Sequence, residues 1–179
     1  MNKELVQNIN KELENKTTQE VIEYFLTKFK NVKLSSSLAA EDQVLTDIIL
    51  KQDENATIFT LDTGRLHPET YDVMDATNLK YGVKIDVFFP QNEKVQELYQ
   101  NQGVNGHYES IENRKACCNI RKIEPLKRAL KDAEIWITGL RASQSVTRVD
   151  MTLVEWDENL KVIKVNPLIN RKEKNVWDY

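Results

Sequence analysis

The sequence predicts an α/β protein: a mainly parallel, twisted sheet flanked by helices, in one domain spanning residues 1–179. Three observations predict it. Short β-branched runs alternate with longer stretches of helical periodicity, the pattern of successive βαβ units. Polar motifs rich in Ser, Asp, Thr, Gly and Arg stand directly after three of those runs, where open α/β sheets gather ligands. The composition, 40% apolar and 30% charged over 179 residues, is ordinary for a globular chain. A chain of this length buries about 70% of its unfolded surface and needs no covalent staple.

From the N-terminus, Leu5, Ile9 and Leu13 share one face of a short helix. Val21, Ile22, Phe25, Leu26 and Phe29 share a face of a second, with Thr17 or Thr18 as its N-cap. These two N-terminal helices occupy residues 1–30. Val32-Lys33-Leu34 is a short strand that runs into Ser35-Ser36-Ser37. Glu41 and Asp42 open a helix carrying Val44, Leu45, Ile48 and Ile49 inward, and acids in a first turn suit the helix dipole. Residues 56–61 form a buried strand ended by Asp62-Thr63-Gly64. Pro68 opens the next helix at its first position and Gly82 closes it. Residues 85–89 are a strand, and a polar helix through Val95, Leu98 and Tyr99 is broken by Gly103 and Gly106. Ile120, Ile123, Leu126 and Leu130 keep helical spacing around Cys117 and Cys118, with a kink or restart at Pro125. Residues 134–138 form a strand ending at Gly139. Residues 153–156 and 162–165 are late strands, joined as a hairpin by Asp157-Glu158-Asn159, and residues 171–179 begin a helix. Trp136, Trp156 and Trp177 are expected in the core, and His67 and His107 at the surface or at caps.

Charge and composition exclude several functions. No apolar run approaches the roughly 20 residues of a membrane span, and the first 16 residues hold no apolar signal region. A net charge of −3 argues against a general nucleic-acid binder. Two cysteines without a signal peptide indicate a reducing cytoplasm. The local sign is more informative. Residues 114–128 carry six cations against Glu124 alone, and residues 139–148 carry Arg141 and Arg148 with no acid. Two basic stretches in an acidic chain suit a small anionic ligand, although a solvated helix face has the same composition.

Cys117 and Cys118 are the only cysteines. Adjacent Cα atoms lie about 3.8 Å apart, whereas disulfides span about 4.4–6.8 Å, so a bridge between them is strained. Adjacent thiolates can instead hold one soft metal centre, and Arg114, Lys115, Arg121 and Lys122 favour the thiolate form. Three loops accompany them. Ser35, Ser36 and Ser37 ahead of Glu41 and Asp42 place hydroxyls before a helix N-terminus, suited to phosphate or sulfate oxygens or simply to capping. Leu61, Asp62, Thr63, Gly64 and Arg65 form a loop able to approach a nucleotide closely, or a plain strand-ending turn. Gly139, Arg141, Gln144, Thr147 and Arg148 combine guanidinium groups with hydroxyl and amide side chains, and arginine grips phosphate and sulfate bidentately.

In that order, these motifs resemble the assimilatory adenylyl-sulfate and phosphoadenylyl-sulfate reductases from Val32 onward. The paired cysteines succeeded by Arg121-Lys122 carry most of the likeness. The resemblance implies an adenine nucleotide α-hydrolase-like fold (PP-loop, Rossmann-like). It implies reduction of adenylyl sulfate, or its 3′-phosphorylated form, to sulfite and AMP or its 3′-phosphate, with a thioredoxin-like dithiol as reductant. It implies that the three loops surround the nucleotide, with Ser35, Ser36, Ser37, Glu41, Asp42, Leu61, Asp62, Thr63, Gly64, Arg65, Gly139, Arg141, Gln144, Thr147 and Arg148 as substrate contacts. Cys117 and Cys118 then look like two ligands of a 4Fe–4S cluster, and Lys122 like the cation between cluster and sulfate, with Arg141 and Arg148 stabilising the leaving AMP. Cluster and sulfate are both anionic. A pair of unit charges about 4 Å apart is worth roughly 4 kcal/mol at an effective dielectric of 20, a repulsion that Arg121 and Lys122 are placed to offset. A homo-oligomer is compatible with the resemblance.

Two departures matter. Many relatives have glycine in the serine loop, where this chain has Leu38-Ala39-Ala40. Relatives also carry a second cysteine pair and a nucleophilic cysteine in a C-terminal tail, and no cysteine comes after Cys118 here. Four thiolates normally hold such a cluster. The 179 residues by themselves are therefore expected to bind nucleotide weakly or not at all, to hold no intact cluster and to show no turnover. Two other readings stand beside this one. An ATP-using enzyme of the same fold, such as a sulfate adenylyltransferase subunit, favours a glycine-rich serine loop. A non-catalytic nucleotide-binding or redox module would bind AMP without releasing sulfite.

Overall fold

In the computed structural model, which describes residues 2–148 and 150–179, the apolar runs become strands at the expected places. They are β1 (Val32–Ser35), β2 (Thr57–Leu61), β3 (Asp86–Phe88), β4 (Ile135–Ile137), β5 (Val154–Asp157) and β6 (Val162–Val165). They form one sheet in the order β3-β2-β1-β4-β6-β5, parallel throughout except for the β5–β6 hairpin. Leu34 pairs with Ile58 on one side and Ile137 on the other, and Ile137 with Val165. Helices on both faces explain why β4 reads as a continuous apolar run and β2 is buried over three successive residues, whereas β1 interposes Lys33 and Ser35.

The connecting helices are α1 (Asn2–Glu12), α2 (Thr18–Lys28), α3 (Ala40–Gln52), α4 (Pro68–Tyr81), α5 (Asn92–Gln102), α6 (Ile111–Cys118), α7 (Glu124–Ala129) and α8 (Glu173–Trp177). The larger core lies under α1, α2 and α3, where Ile22, Phe25, Leu45, Leu34 and Ile137 are essentially sealed from solvent. Each such side chain stabilises the fold by about 1.5–3 kcal/mol. A smaller core on the opposite face joins Phe59 to Ala129 and Leu130, at the end of α7. The hairpin turn forms as expected, with Asp157 Oδ1 accepting from the backbone of Asn159 and Leu160.

Helix ends obey their signals. Thr17 caps α2 in a reciprocal box with Glu20, each side chain accepting the other's backbone N–H. Pro68 starts α4 behind His67, which is exposed, and Gly82 ends it at φ +66°. The tryptophan expectation holds less well. Trp136 and Trp156 are half-buried, and Trp177 is exposed because α8 turns its ring outward.

Leu38, in the serine loop at one of the positions where the resemblance led to an expectation of glycine, adopts φ +65° with its side chain buried in the larger core. A left-handed residue with a Cβ costs about 1–2 kcal/mol, and burial of the isobutyl group offsets that. At the other end of α3, Asp47 accepts hydrogen bonds from the hydroxyls of Tyr81 and Tyr179, both at 2.6 Å, and pairs with Lys51 at 2.6 Å. Burial opposes its ionisation, but Lys51 and the two phenols outweigh it and hold the carboxyl down at about 2. This carboxylate ties the end of the chain beyond α8 to α3.

These local conflicts predict two outcomes. Leu38→Ala keeps the strain and loses the burial, whereas Leu38→Gly loses both. Urea unfolding should therefore rank Gly above Ala by about 1 kcal/mol, the reverse of their usual order. Asp47→Asn removes a carboxylate whose folded pKa lies below its unfolded value of 3.8. Its contribution, about 1 kcal/mol after allowance for the exposed Lys51, is present above pH ~4. The gap between wild type and variant should close as pH falls from about 4 to about 2.

Candidate functional site

The sheet order reverses between β1 and β4, so the loops leaving their carboxyl ends diverge and open a crevice. It is a cleft of about 720 Å³, bordered by Ser35, Ser36, Ser37, Glu41, Asp42, Leu61, Thr63, Gly139, Gln144 and Arg148 from the three expected loops, and by Cys118 and Lys122. Asp62, Gly64, Arg65, Arg141 and Cys117 are not on its wall. The side chain of Thr147 lies outside the described residues. Trp136 and Thr138 also line the cleft, although the sequence predicts a core position for Trp136. Its place between Ile135 and Ile137 held the clue, since alternate strand residues face opposite ways. Trp136 Nε1 donates to Ser35 Oγ at 2.8 Å, which fixes the indole and the first serine together.

The serine loop is folded around Asp42. Ser37 donates through both its backbone N–H and its hydroxyl to Asp42 Oδ2, each at 2.6 Å, and Leu38 N–H donates to Ser36 Oγ. Ala39 stands at the N-cap of α3 with no side-chain cap, so the first turn of that 13-residue helix meets the cleft without an N-cap side chain, although its Glu41 N–H is taken by the Glu41 carboxylate. Burial pushes the Asp42 carboxyl up, more than the Ser37 hydrogen bonds and the Gly139 N–H hold it down. Gly139 packs directly on it: a Cβ there would lie 2.1 Å from Asp42 Oδ1 and 3.2 Å from the Glu41 Cβ. Glycine at this position is a requirement of close approach.

Arg141 was expected to meet the phosphosulfate. Instead it is buried, with Nε and Nη2 both 2.8 Å from Glu41 Oε1. Gln144 Nε2 donates to the same oxygen at 3.0 Å, and Arg141 Nη1 donates to Ser143 Oγ. Burial works against the Glu41 carboxylate, but its own backbone N–H, Arg141 and Gln144 prevail and hold it below the usual range. Arg148 donates to Gln144 Oε1 at 2.6 Å and lines the cleft. Among the described residues, the cations on the cleft wall are therefore Lys122 and Arg148, and Arg141 positions the loop between them.

Asp62 is likewise internal. Its carboxylate accepts from Gly64 N–H at 2.7 Å and from the Tyr71 hydroxyl at 2.7 Å, so it shapes the turn and does not face the cleft. Gly64 supplies the left-handed residue at φ +70°, and Arg65, on the surface, donates to the Val104 carbonyl.

The cysteines sit at the end of α6, and the next residues leave the α-helical path. Residues Asn119–Ile123 form a π turn before α7. Pro125 explains it: its ring crowds the carbonyl four residues back, that of Arg121, and it donates no N–H. Widening the preceding turn relieves the clash, with Glu124 N–H reaching Asn119 O. One consequence is a split between neighbours. Cys118 and Lys122 line the cleft, whereas Cys117 and Arg121 line a separate, tightly packed cavity with Tyr99 and Gln102. Cys117 is half-buried and Cys118 exposed. Among the described residues no group of three or more His, Cys, Asp or Glu side chains converges as a metal site. Two thiols are half the number that a four-thiolate set uses, and here the cleft and the neighbouring cavity take one each.

The sequence pattern of the phosphoadenosine phosphosulfate reductase domain matches residues 31–179. The chain belongs to the phosphoadenosine phosphosulfate reductase family. Among curated relatives, adenosine 5′-phosphosulfate reductase of Burkholderia cepacia is 48% identical over 148 residues, covering 83% of this chain and 59% of that protein. The Allochromatium vinosum protein of the same name is 40% identical over 160 residues, covering 89% and 62%. The chain thus spans about three fifths of the length of these relatives. Among solved structures, phosphoadenylyl-sulfate reductase from Candida auris in its phosphate complex superposes with a TM-score of 0.82 at 25% identity, over 97% of this chain and 83% of that one. FMN adenylyltransferase from Candida glabrata gives 0.61 at 13% identity over 90% and 52%, a likeness of fold alone. The family's PP-loop fold agrees with the mainly parallel sheet. No helix among the described residues is long and apolar enough to cross a membrane.

A positioning role for Arg141 has an energetic signature. Breaking a buried ion pair costs about 3–5 kcal/mol, because the remaining charge is left without its partner. Arg141→Met should lose about 3 kcal/mol in chemical unfolding, and Glu41→Gln combined with it should recover at least half. A cleft-facing arginine would instead leave stability nearly unchanged.

Proposed function

We propose that this chain forms the nucleotide-binding part of a sulfonucleotide reductase, taking adenylyl sulfate or its 3′-phosphorylated form in the cleft at the ends of β1, β2 and β4. The observation that carries the reading is the joint presence on one cleft of the serine loop, Lys122 and a thiol, Cys118. An anionic sulfonucleotide would lie with its phosphate toward the uncapped start of α3 and its charge shared by Lys122 and Arg148. The apolar wall of Leu66, Ile123 and Leu126 suits the flat base.

The reaction reduces sulfur(VI) to sulfur(IV). The sulfur–oxygen bond to the phosphate breaks, AMP departs with the bridging oxygen, and a dithiol of thioredoxin type becomes a disulfide as sulfite is released. Lys122 and Arg148 stabilise the charge that gathers on the leaving phosphate. Cys117 and Cys118 would hold one side of a 4Fe–4S cluster. Its remaining ligands, like the attacking thiol, would have to come from outside these 179 residues. When bound, that cluster would supply an anionic, sulfur-rich surface beside the sulfate, and Lys122 would screen it. The reductant, the compartment and any association between copies belong to this reading as expectations.

Thermal-shift titration with AMP, adenylyl sulfate and ATP tests the binding. Because the serine loop, Lys122 and Arg148 border one cleft, AMP and adenylyl sulfate should raise the unfolding midpoint, in place of the weak or absent binding expected from the sequence, and Lys122→Met should weaken the adenylyl sulfate response by about tenfold in midpoint concentration. Sulfite release by the 179 residues with a dithiol should be undetectable. A chain that responds to none of the three nucleotides does not use the cleft in this way.

A further inference from the structure

Arg121 is buried, 4% exposed, yet makes a single hydrogen bond: Nη1 donates to the Thr63 carbonyl at 2.6 Å. Its Nε and Nη2 have no hydrogen-bond partner among the described residues, and its guanidinium carbon lies 5.1 Å from the centre of the Tyr99 ring. A buried cation without a carboxylate partner is a poor stabiliser, since desolvation outweighs what one neutral acceptor and one ring return. Stability does not account for its place. What its one hydrogen bond holds does.

That bond joins two elements otherwise unconnected by hydrogen bonds among the described residues. Arg121 belongs to the π turn beyond the cysteines, and Thr63 belongs to the turn leaving β2 and lines the cleft. The contact is close on both sides: a Cβ on Gly64 would approach Arg121 Nη1 to 3.3 Å. The turn's other ties run through Asp62 to Gly64, Tyr71 and the Phe88 carbonyl, through Thr63 Oγ1 to Arg65 N–H, and through the Arg65 side chain to the Val104 carbonyl in the loop after α5, so Arg121 is its direct link to the π turn itself. The π turn is what aims Arg121 there, four residues after Cys117, while Lys122 keeps to the cleft.

We propose that Arg121 is a positioning residue that locks the residue 62–65 turn to the cysteine-bearing helix, so that the nucleotide wall and the thiols move as one unit. The proposal rests on the nucleotide reading of the cleft for its functional consequence, but not for its mechanics.

Three variants test it on the intact chain: Arg121→Met, Arg121→Lys, and Lys127→Met as a control for lost charge on the exposed face of α7. Hydrogen exchange without ligand is measured at the Gly64 amide, together with the thermal midpoint and AMP affinity. In Arg121→Met, Gly64 exchange should rise about tenfold, AMP binding should weaken about tenfold, and the midpoint should stay level or rise. Arg121→Lys should recover part of both losses, and Lys127→Met should match wild type. Gly64 exchange at the wild-type rate in Arg121→Met overturns the proposal whatever AMP does. So does a fall in midpoint with exchange rising evenly across the sheet, which marks Arg121 as merely structural. If wild type binds no AMP, the nucleotide reading fails, and Gly64 exchange still decides the mechanical one.

Discussion

The contact between Gly139 and Asp42 holds the cleft in shape. A parallel sheet that reverses its order between β1 and β4 must let the two departing loops separate, and something has to stop them separating too far. Here the backbone of one loop rests on the carboxylate of the other, close enough that no side chain fits between them. The same carboxylate gathers Ser37 through two hydrogen bonds. The serine loop, the start of α3 and the arginine loop are thereby fixed relative to one another.

Charge is managed in two layers around that contact. Glu41 and Arg141 neutralise each other out of solvent, and Gln144 relays from this pair to Arg148 at the wall. Acids at the mouth of an anion site are a liability when free. Paired internally, they become scaffolding, and the positive field in the cleft is left to Lys122 and Arg148. Asp62 illustrates the same arrangement, its carboxylate engaged by Gly64 and Tyr71.

Much of this was legible in the residue order. All six strands lie where β-branched runs predict them, and Thr17, Pro68 and Gly82 mark helix ends by local chemistry alone. The three loops meet because the strands before them are parallel neighbours, which alternation of strand and helix already implies. The hidden features depended on distant partners. Arg141 reads as a ligand-binding arginine because Glu41 stands 100 residues away. Asp62 reads as a substrate contact because its partner, Tyr71, lies on the next helix. Pro125 signals a break, but widening of the turn before it, and the resulting division of Cys117 and Arg121 from Cys118 and Lys122, needs the packing of α6 and α7. Leu38 shows a glycine-like backbone held without glycine, since its side chain has a core to enter.

The sheet also has two ends, and neither invites another strand. Asn10 of α1 turns its amide onto the outer strand, giving an N–H to the Val154 carbonyl and taking one from the Val154 amide, as a neighbouring strand would. At the opposite margin β3 is three residues long and begins with an exposed aspartate. Both are ways of refusing edge-to-edge growth, so the polymerisation to which open sheets are prone is blocked by one asparagine and one brevity.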